Sequence, residues 1–271
     1  MSYLRELEAV VDELRRGRSV ALAVLVKKSG SAPRDVGARM VIKKDGHTIG
    51  TLGGGSFERK VVEEALAALS KGETSVKKYV FREEDVQDAE KTGLICGGET
   101  DVFLDVLKSA PRVLLIGAGH LAHAIAEIGS KAGFRVAVAD SDPQLASRER
   151  FAAAEKIVVD DFERCVERLE PSKEDMVLVL SGVVEEDFKV LLKALEASPR
   201  YIGMLGSRRK CGEFLRRLKD MGYTEEQLRG RVYMPTGIDI GADKPEEIAV
   251  AVVAEIISLL KGGDLKHLTI V

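Results

Sequence analysis

The chain has 271 residues, 45% of them apolar and 31% charged, an ordinary globular composition at a length that suggests two domains. Its net charge of −3 argues against general attraction to nucleic acid or to an anionic membrane. No apolar run reaches the eighteen or so residues that span a bilayer, and three scattered cysteines (Cys96, Cys165, Cys211) without a Cys-x-x-Cys suggest neither a disulfide framework nor a zinc knuckle.

The first residues, Met-Ser-Tyr-Leu-Arg-Glu, carry an acid where a secretion signal needs basic and then apolar residues, so a cytoplasmic protein is expected. Leu4, Leu7, Val11 and Leu14 recur at helical spacing, and Gly17 can end that helix. Ser19–Val26 is an apolar run of strand length. Met40–Lys43 and Thr48–Leu52 flank Asp45-Gly46, a hairpin signal. Ser56–Leu69 suits an amphipathic helix, and Val76–Phe81 and Asp101–Leu107 alternate as strands. The first hundred residues read as an α+β domain.

After Pro111 strands and helices alternate. Strands are expected at Val113–Ile116, Arg135–Ala139, Lys156–Val159, Met176–Leu180, Tyr201–Leu205 and Arg231–Met234. Helices fit Leu121–Ala132, Phe162–Leu169, Glu185–Glu196 and Arg209–Met221. That order specifies a Rossmann-like, doubly wound parallel sheet, so the fold class is α/β overall. A last helix from Pro245, with Asp243 and Glu246 spaced as a capping box, is apolar nearly all round.

Gly117-Ala118-Gly119-His120-Leu121-Ala122 matches the dinucleotide fingerprint G-x-G-x-x-G/A. Gly117 permits the tight turn, and Gly119 lets a pyrophosphate approach the helix N-terminus. Asp140 closes the next strand about 20 residues on, where a carboxylate can accept from an adenine ribose. His120 and His123 lack a third ligand nearby, so no metal site is expected, and His120 is better placed to meet phosphate. Gly206-Ser207-Arg208-Arg209-Lys210 puts three cations at a helix start, either to meet an anion or simply solvated. Pro235–Gly241 is a glycine-rich shaped loop. In the first half, Gly30-Ser31-Ala32-Pro33-Arg34 follows a strand, and Gly53-Gly54-Gly55-Ser56 opens a helix with Glu58 in its first turn. Three glycines need a reason, either an anion at exposed amides, with Arg34 supplying charge, or a tight corner. Cys96-Gly97-Gly98 sets a thiol in a glycine turn, where it can act as a nucleophile or soft-metal ligand. Cys165 and Cys211 lie on helical stretches as small hydrophobes.

Taken together, the ordered blocks 30–34, Gly37-Ala38-Arg39-Met40, Gly53–Gly55 with Glu58, Cys96–Gly98, Gly117–His120, Tyr201–Gly203 with Gly206–Lys210, and Gly237–Gly241 with Pro245–Ala249 resemble the XdhC/CoxI family. Its members are accessory proteins of xanthine dehydrogenase and related molybdenum hydroxylases. The resemblance implies a family domain over 1–108 and a Rossmann-like domain over 111–271. It further implies binding of molybdenum cofactor (molybdopterin), its protection during sulfuration by a cysteine desulfurase, insertion into the apo-hydroxylase, and a homodimer. Backbone donors at Gly53–Gly55 or near Gly119 would hold the phosphate, and Cys96 would face the molybdenum or its labile sulfur, at a site between the two halves. Ser181–Asp187 departs from the family pattern in having acids but no His, so the client enzyme can differ. The alternatives are an NAD-dependent oxidoreductase using Asp140, against which no Tyr-x-x-x-Lys pair is found, and a scaffold that binds nothing small.

Overall fold

In the computed structural model, which describes residues 3–31, 33–81, 89–91, 98–264 and 266–269, the chain divides into two units, Met1–Ala110 and Pro111–Val271. The first is built on strands β1 (Val20–Ser29), β2 (Arg39–Lys43), β3 (Thr48–Gly50), β4 (Ser75–Val80), β5 (Ala89–Lys91) and β6 (Glu99–Leu107), with helices α1 (Leu4–Arg15) and α2 (Gly55–Lys71). The sheet runs β3-β2-β1-β6-β4-β5 and is antiparallel except at β4–β5. Strand alternation puts Ala21, Ala23 and Leu25 of β1 on one face with Met40, Ile42 and Leu104. Against them α2 lays Phe57, Val61 and Ala65, one turn apart. Phe57 meets Tyr79 and Phe81 edge to face, with centroids 5.2 and 5.3 Å apart. Asp45 holds the β2–β3 hairpin by accepting the His47 amide at 2.9 Å, with Gly46 at φ 82°.

The helix at α1 forms as expected, but its inward face differs. Val10 packs on Val20 and Val41 with Leu14 beside it, whereas Leu4, Leu7 and Val11 stay exposed. The reason is Glu13, which is buried and held by Arg18 at 2.8 Å and Lys43 at 3.0 Å. Its pairing with a β2 lysine rotates the helix away from the seam that apolar spacing suggests.

The second unit comprises β7 (Arg112–Ile116), α3 (His120–Lys131), β8 (Arg135–Asp140), β9 (Lys156–Val159), α4 (Phe162–Leu169), β10 (Met176–Val179), α5 (Val184–Ala197), β11 (Tyr201–Met204), α6 (Arg208–Asp220), α7 (Glu225–Leu228), β12 (Val232–Tyr233) and α8 (Pro245–Lys261). Its strands are all parallel in the order β12-β11-β10-β7-β8-β9. Strand order reverses at β7, between β8 and β10, and such a switch opens a crevice at the carboxyl ends of the strands. Phe162, Phe188, Leu191 and Phe214 of α4–α6 cover one face. Ala122 and Ile125 of α3, with Val252 and Ile256 of α8, cover the other.

Cys165 and Cys211 lie in the first of these layers. Burial pushes the Cys165 thiol up to about 11 and raises Cys211 as well, so neither is a ready nucleophile. At α8 the cap is not Asp243 with Glu246. Instead, Glu247 accepts the amides of Asp243 and Lys244 at 3.0 and 3.2 Å, because a carboxylate three residues into a helix reaches back over its first turn. Val250, Ile257 and Leu259 of α8 remain exposed. The short α7 escaped sequence reading, although Thr224 and Gln227 cap each other's amides there. Among the described residues, no helix is long and apolar enough to cross a membrane.

Candidate functional site

In the first unit the structure brings together three of the glycine-bearing segments. A Cβ at Gly53, where φ is 128°, would lie 2.1 Å from Cβ of Pro33. One at Gly98 would lie 2.1 Å from the carbonyl oxygen of Ser31. Both glycines are therefore required by close packing on segment 29–33. Cys96, Gly97 and Ala32 lie outside the described residues.

The amides of the 52–54 turn are not open to an anion as expected. Oε1 of Glu58 accepts from Leu52 N at 2.7 Å, Gly53 N at 3.0 Å and the Thr51 hydroxyl at 2.5 Å. Partial burial raises the Glu58 carboxyl, but these donors outweigh it and hold the group below the usual carboxylate range. The chain thus supplies its own anion, and Glu58, in the first turn of α2, is committed to the 52–54 turn. Gly54 and Gly55 have positive φ with clear space beside them, and Ser56 follows in the first turn of α2.

Next to this turn lies a cleft of about 390 Å³ lined by Tyr3, Glu6, Arg34, Arg39 and Thr51, among others. The Arg39 guanidinium stacks over the Tyr3 ring at 4.8 Å. Its Nε is buried with no hydrogen-bond partner among the described residues. No ion pair of Arg34, Arg39 or Glu6 is formed among the described residues, whereas Asp35, on the same wall, pairs with Lys28 at 2.8 Å.

In the second unit, Gly117 has φ 106°, and a Cβ there would lie 2.5 Å from the Leu180 carbonyl carbon. Gly119 is extended, and a Cβ on it would meet nothing within 4 Å, so the approach to the α3 N-terminus is open there. His120, the first residue of α3, is exposed. Asp140 departs from its expected role. It is only 5% exposed, with Oδ2 accepting Ala118 N at 2.6 Å and Oδ1 accepting Asp142 N at 3.0 Å. Its carboxylate is turned into the glycine turn because that buried amide needs an acceptor. His123 stacks edge-on to Phe151 at 5.6 Å, and the described residues contain no His/Cys/Asp/Glu group arranged for a metal ion.

Gly203 of β11 is boxed in by Leu178, Thr236 and Tyr201, all within 2.7 Å of a Cβ position. Beneath it the Tyr201 hydroxyl bonds Thr236 and donates to Oε2 of Glu255 at 2.6 Å, and that oxygen also accepts Gly237 N at 3.0 Å. At α6, Ser207 caps the helix by accepting Lys210 N at 3.3 Å, and Arg208 and Arg209 are exposed after Gly206. Lys210 does not wait for an external anion. Its ammonium bonds the fully buried carboxylate of Asp187, which also accepts the Ser181 amide at 3.1 Å and the Ser181 hydroxyl at 2.6 Å. Asp187 closes the Ser181–Asp187 stretch, which holds acids but no His.

Sequence reading passed over Tyr3, Glu6, Arg39 and Asp187 as site residues. Arg39 carried only a weak signal, as a charged residue opening an apolar strand, a pattern that Arg112, Arg135 and Lys156 share. Tyr3 and Glu6 carried none, because only the fold sets α1 against that strand.

Family models match the chain twice, the XdhC and CoxI family over residues 13–80 and the XdhC Rossmann domain over residues 113–256. Protein YqeB of Escherichia coli K12 is 38% identical over 241 residues, which are 88% of this chain but 43% of that protein, so the chain spans less than half of that relative. A probable xanthine dehydrogenase subunit of Bacillus subtilis is 25% identical, over 89% of this chain and 93% of its own. The molybdenum cofactor insertion chaperone PaoD of E. coli K12 is 26% identical, over 93% and 87%. Among solved structures, a xanthine dehydrogenase from Bacillus halodurans superposes over 98% of this chain and 97% of its own, at 22% identity and a TM-score of 0.52. That likeness is one of fold.

Proposed function

The chain belongs to the XdhC/CoxI family, and on that premise we propose that it binds molybdenum cofactor as cargo and delivers it to a molybdenum hydroxylase apoenzyme. The observation that carries this reading is the match along 93% of the chain to a molybdenum cofactor insertion chaperone. The chemistry of the first unit agrees with an anionic cargo, since two guanidiniums without ion-pair partners among the described residues line one cleft. In this reading Cys96, followed by Gly97 and Gly98, presents its sulfur to the molybdenum or its labile sulfur. A cysteine desulfurase is the sulfur donor, and the working form is a cytoplasmic homodimer.

Coexpression with cofactor biosynthesis, followed by native mass spectrometry, is expected to show the bound pterin and the oligomer together. Adding the loaded chain to an apo-hydroxylase should restore its activity. Replacing Cys96 with Ala should lower that restoration about tenfold, a difference of about 1.4 kcal/mol, with the melting temperature unchanged. Full restoration by that variant removes Cys96 from the mechanism, and absence of bound pterin in the wild type defeats the proposal itself.

A second reading has one observation in its favour. Open space over Gly119 at a helix N-terminus suits a dinucleotide phosphate, although the inward-turned Asp140 leaves a ribose poorly served. Titration with NADH separates this reading from the first.

A further inference from the structure

We propose that the cleft formed by Tyr3, Glu6, Arg34, Arg39 and Thr51 binds the phosphate ester of a heterocycle bearing a 2-amino-4-oxo edge, the edge that pterins share with guanine. The proposal rests on the maturation reading above and deepens it by assigning the cargo's two polar ends.

In both glycine turns the chain's own carboxylate takes part of the amide set. Glu58 already occupies the amides of the 52–54 turn, and Asp140 occupies that of Ala118. The cleft offers what the turns lack. Arg34 and Arg39 form no ion pair among the described residues, and a guanidinium fork suits phosphate oxygens. Arg39 is already oriented, its plane held over Tyr3 at 4.8 Å, so little side-chain freedom is lost when an anion arrives. Its Nε lacks an acceptor among the described residues but is buried, so an anion in the cleft would meet the other nitrogens of the guanidinium.

Glu6 sets the other requirement. An ionised carboxylate only accepts hydrogen bonds and repels a bare anion. Its presence beside the arginines selects a ligand carrying donors as well as phosphate. Asp35 does not add to that repulsion, since Lys28 neutralises it at 2.8 Å. An adjacent ring N–H and amino group supply a pair of donors that a carboxylate can accept side by side. The cleft, at about 390 Å³, is of small-ligand size.

The test uses the full chain and three probes in calorimetric titration. GMP carries the phosphate and the 2-amino-4-oxo edge, AMP the phosphate with a different edge, and ribose 5-phosphate the phosphate alone. GMP should bind at least tenfold more tightly than the other two. Arg34→Gln and Arg39→Gln should each weaken every probe tenfold or more, and Arg34, being exposed, can be replaced without risk to folding. Glu6→Gln should abolish the preference for GMP while leaving ribose 5-phosphate no weaker. Equal affinity for GMP and AMP in the wild type overturns the proposal, as does GMP binding unaffected by both arginine changes. If no probe binds while the wild-type chain still restores a client hydroxylase, the cleft assignment falls and the maturation role stands. Probe binding as expected with a client left inactive keeps the cleft assignment and removes the maturation role.

Discussion

The turn entering α2 and the turn entering α3 look alike in sequence, each a strand followed by glycines and then a helix, yet an acid closes each by a different route. Glu58 comes from the helix that the turn itself begins, five residues beyond the Gly53 amide it takes, and stays partly exposed. Asp140 comes from the neighbouring strand, 22 residues from Ala118, and is buried. The first closure is local and can form with the helix, while the second requires β7 and β8 to be paired. A glycine turn before a helix is therefore an anion site only where the chain has not placed its own carboxylate there.

The largest effect should come from the glycines. Ala at Gly117 would need a left-handed conformation and would press on backbone atoms of residues 180 and 181, which cannot step aside. A loss of about 3 kcal/mol or more is expected in urea unfolding. Ala at Gly53 meets mainly the Pro33 side chain on a surface loop, and about 1–3 kcal/mol should be lost. The reverse order would mean that the second turn is the more pliable of the two.

Removing the acids should separate the turns next. Asp140→Ala strands a buried amide, a loss of about 1–3 kcal/mol. Glu58→Gln keeps an acceptor in a more exposed place and should cost under about 1 kcal/mol, solvent screening having reduced the charge contribution. Because the folded Glu58 carboxyl sits below its ordinary value of 4.5, its stabilisation is complete above that pH and disappears as pH falls through the lower folded value. Acid titration of stability should therefore be shallower in Glu58→Gln. An unchanged acid limb would show that Glu58 contributes nothing through its charge.

The smallest change is expected from Gly119→Ala, with stability within about 0.5 kcal/mol of the wild type, since nothing lies within 4 Å of the added methyl. A marked loss of stability would mean that Gly119 is there for packing, not for the approach of a ligand.

Much of the architecture was legible because period-2 and period-3.6 patterns are local. Lys156–Val159 and Phe162–Leu169 form over the residues their spacing suggests, and the strand–helix alternation after Pro111 implies the parallel sheet. What was not legible depended on partners distant in sequence. Nothing in Leu4–Leu14 announces that Glu13 will be drawn to Lys43. The cations at 208–210 read as one group, although Lys210 is bound to an acid 23 residues earlier. Asp140 was found at its place by spacing, but spacing does not say which way a carboxylate points. The cleft at Arg34 and Arg39 needs a helix from the start of the chain to close it, so its outline is tertiary.

Glu255 joins a strand and a loop that the chain itself keeps more than thirty residues apart, at Tyr201 and Gly237. The 236–241 segment is thus moored both to the middle of α8, through Glu255, and to the end of β11, through the Thr236 amide on the Met204 carbonyl at 3.0 Å. A fusion or truncation that frayed α8 back to that carboxylate would leave the strands standing and the loop tethered only at its first residues, so an apparently well-folded derivative could still lose whatever the far end of that loop touches.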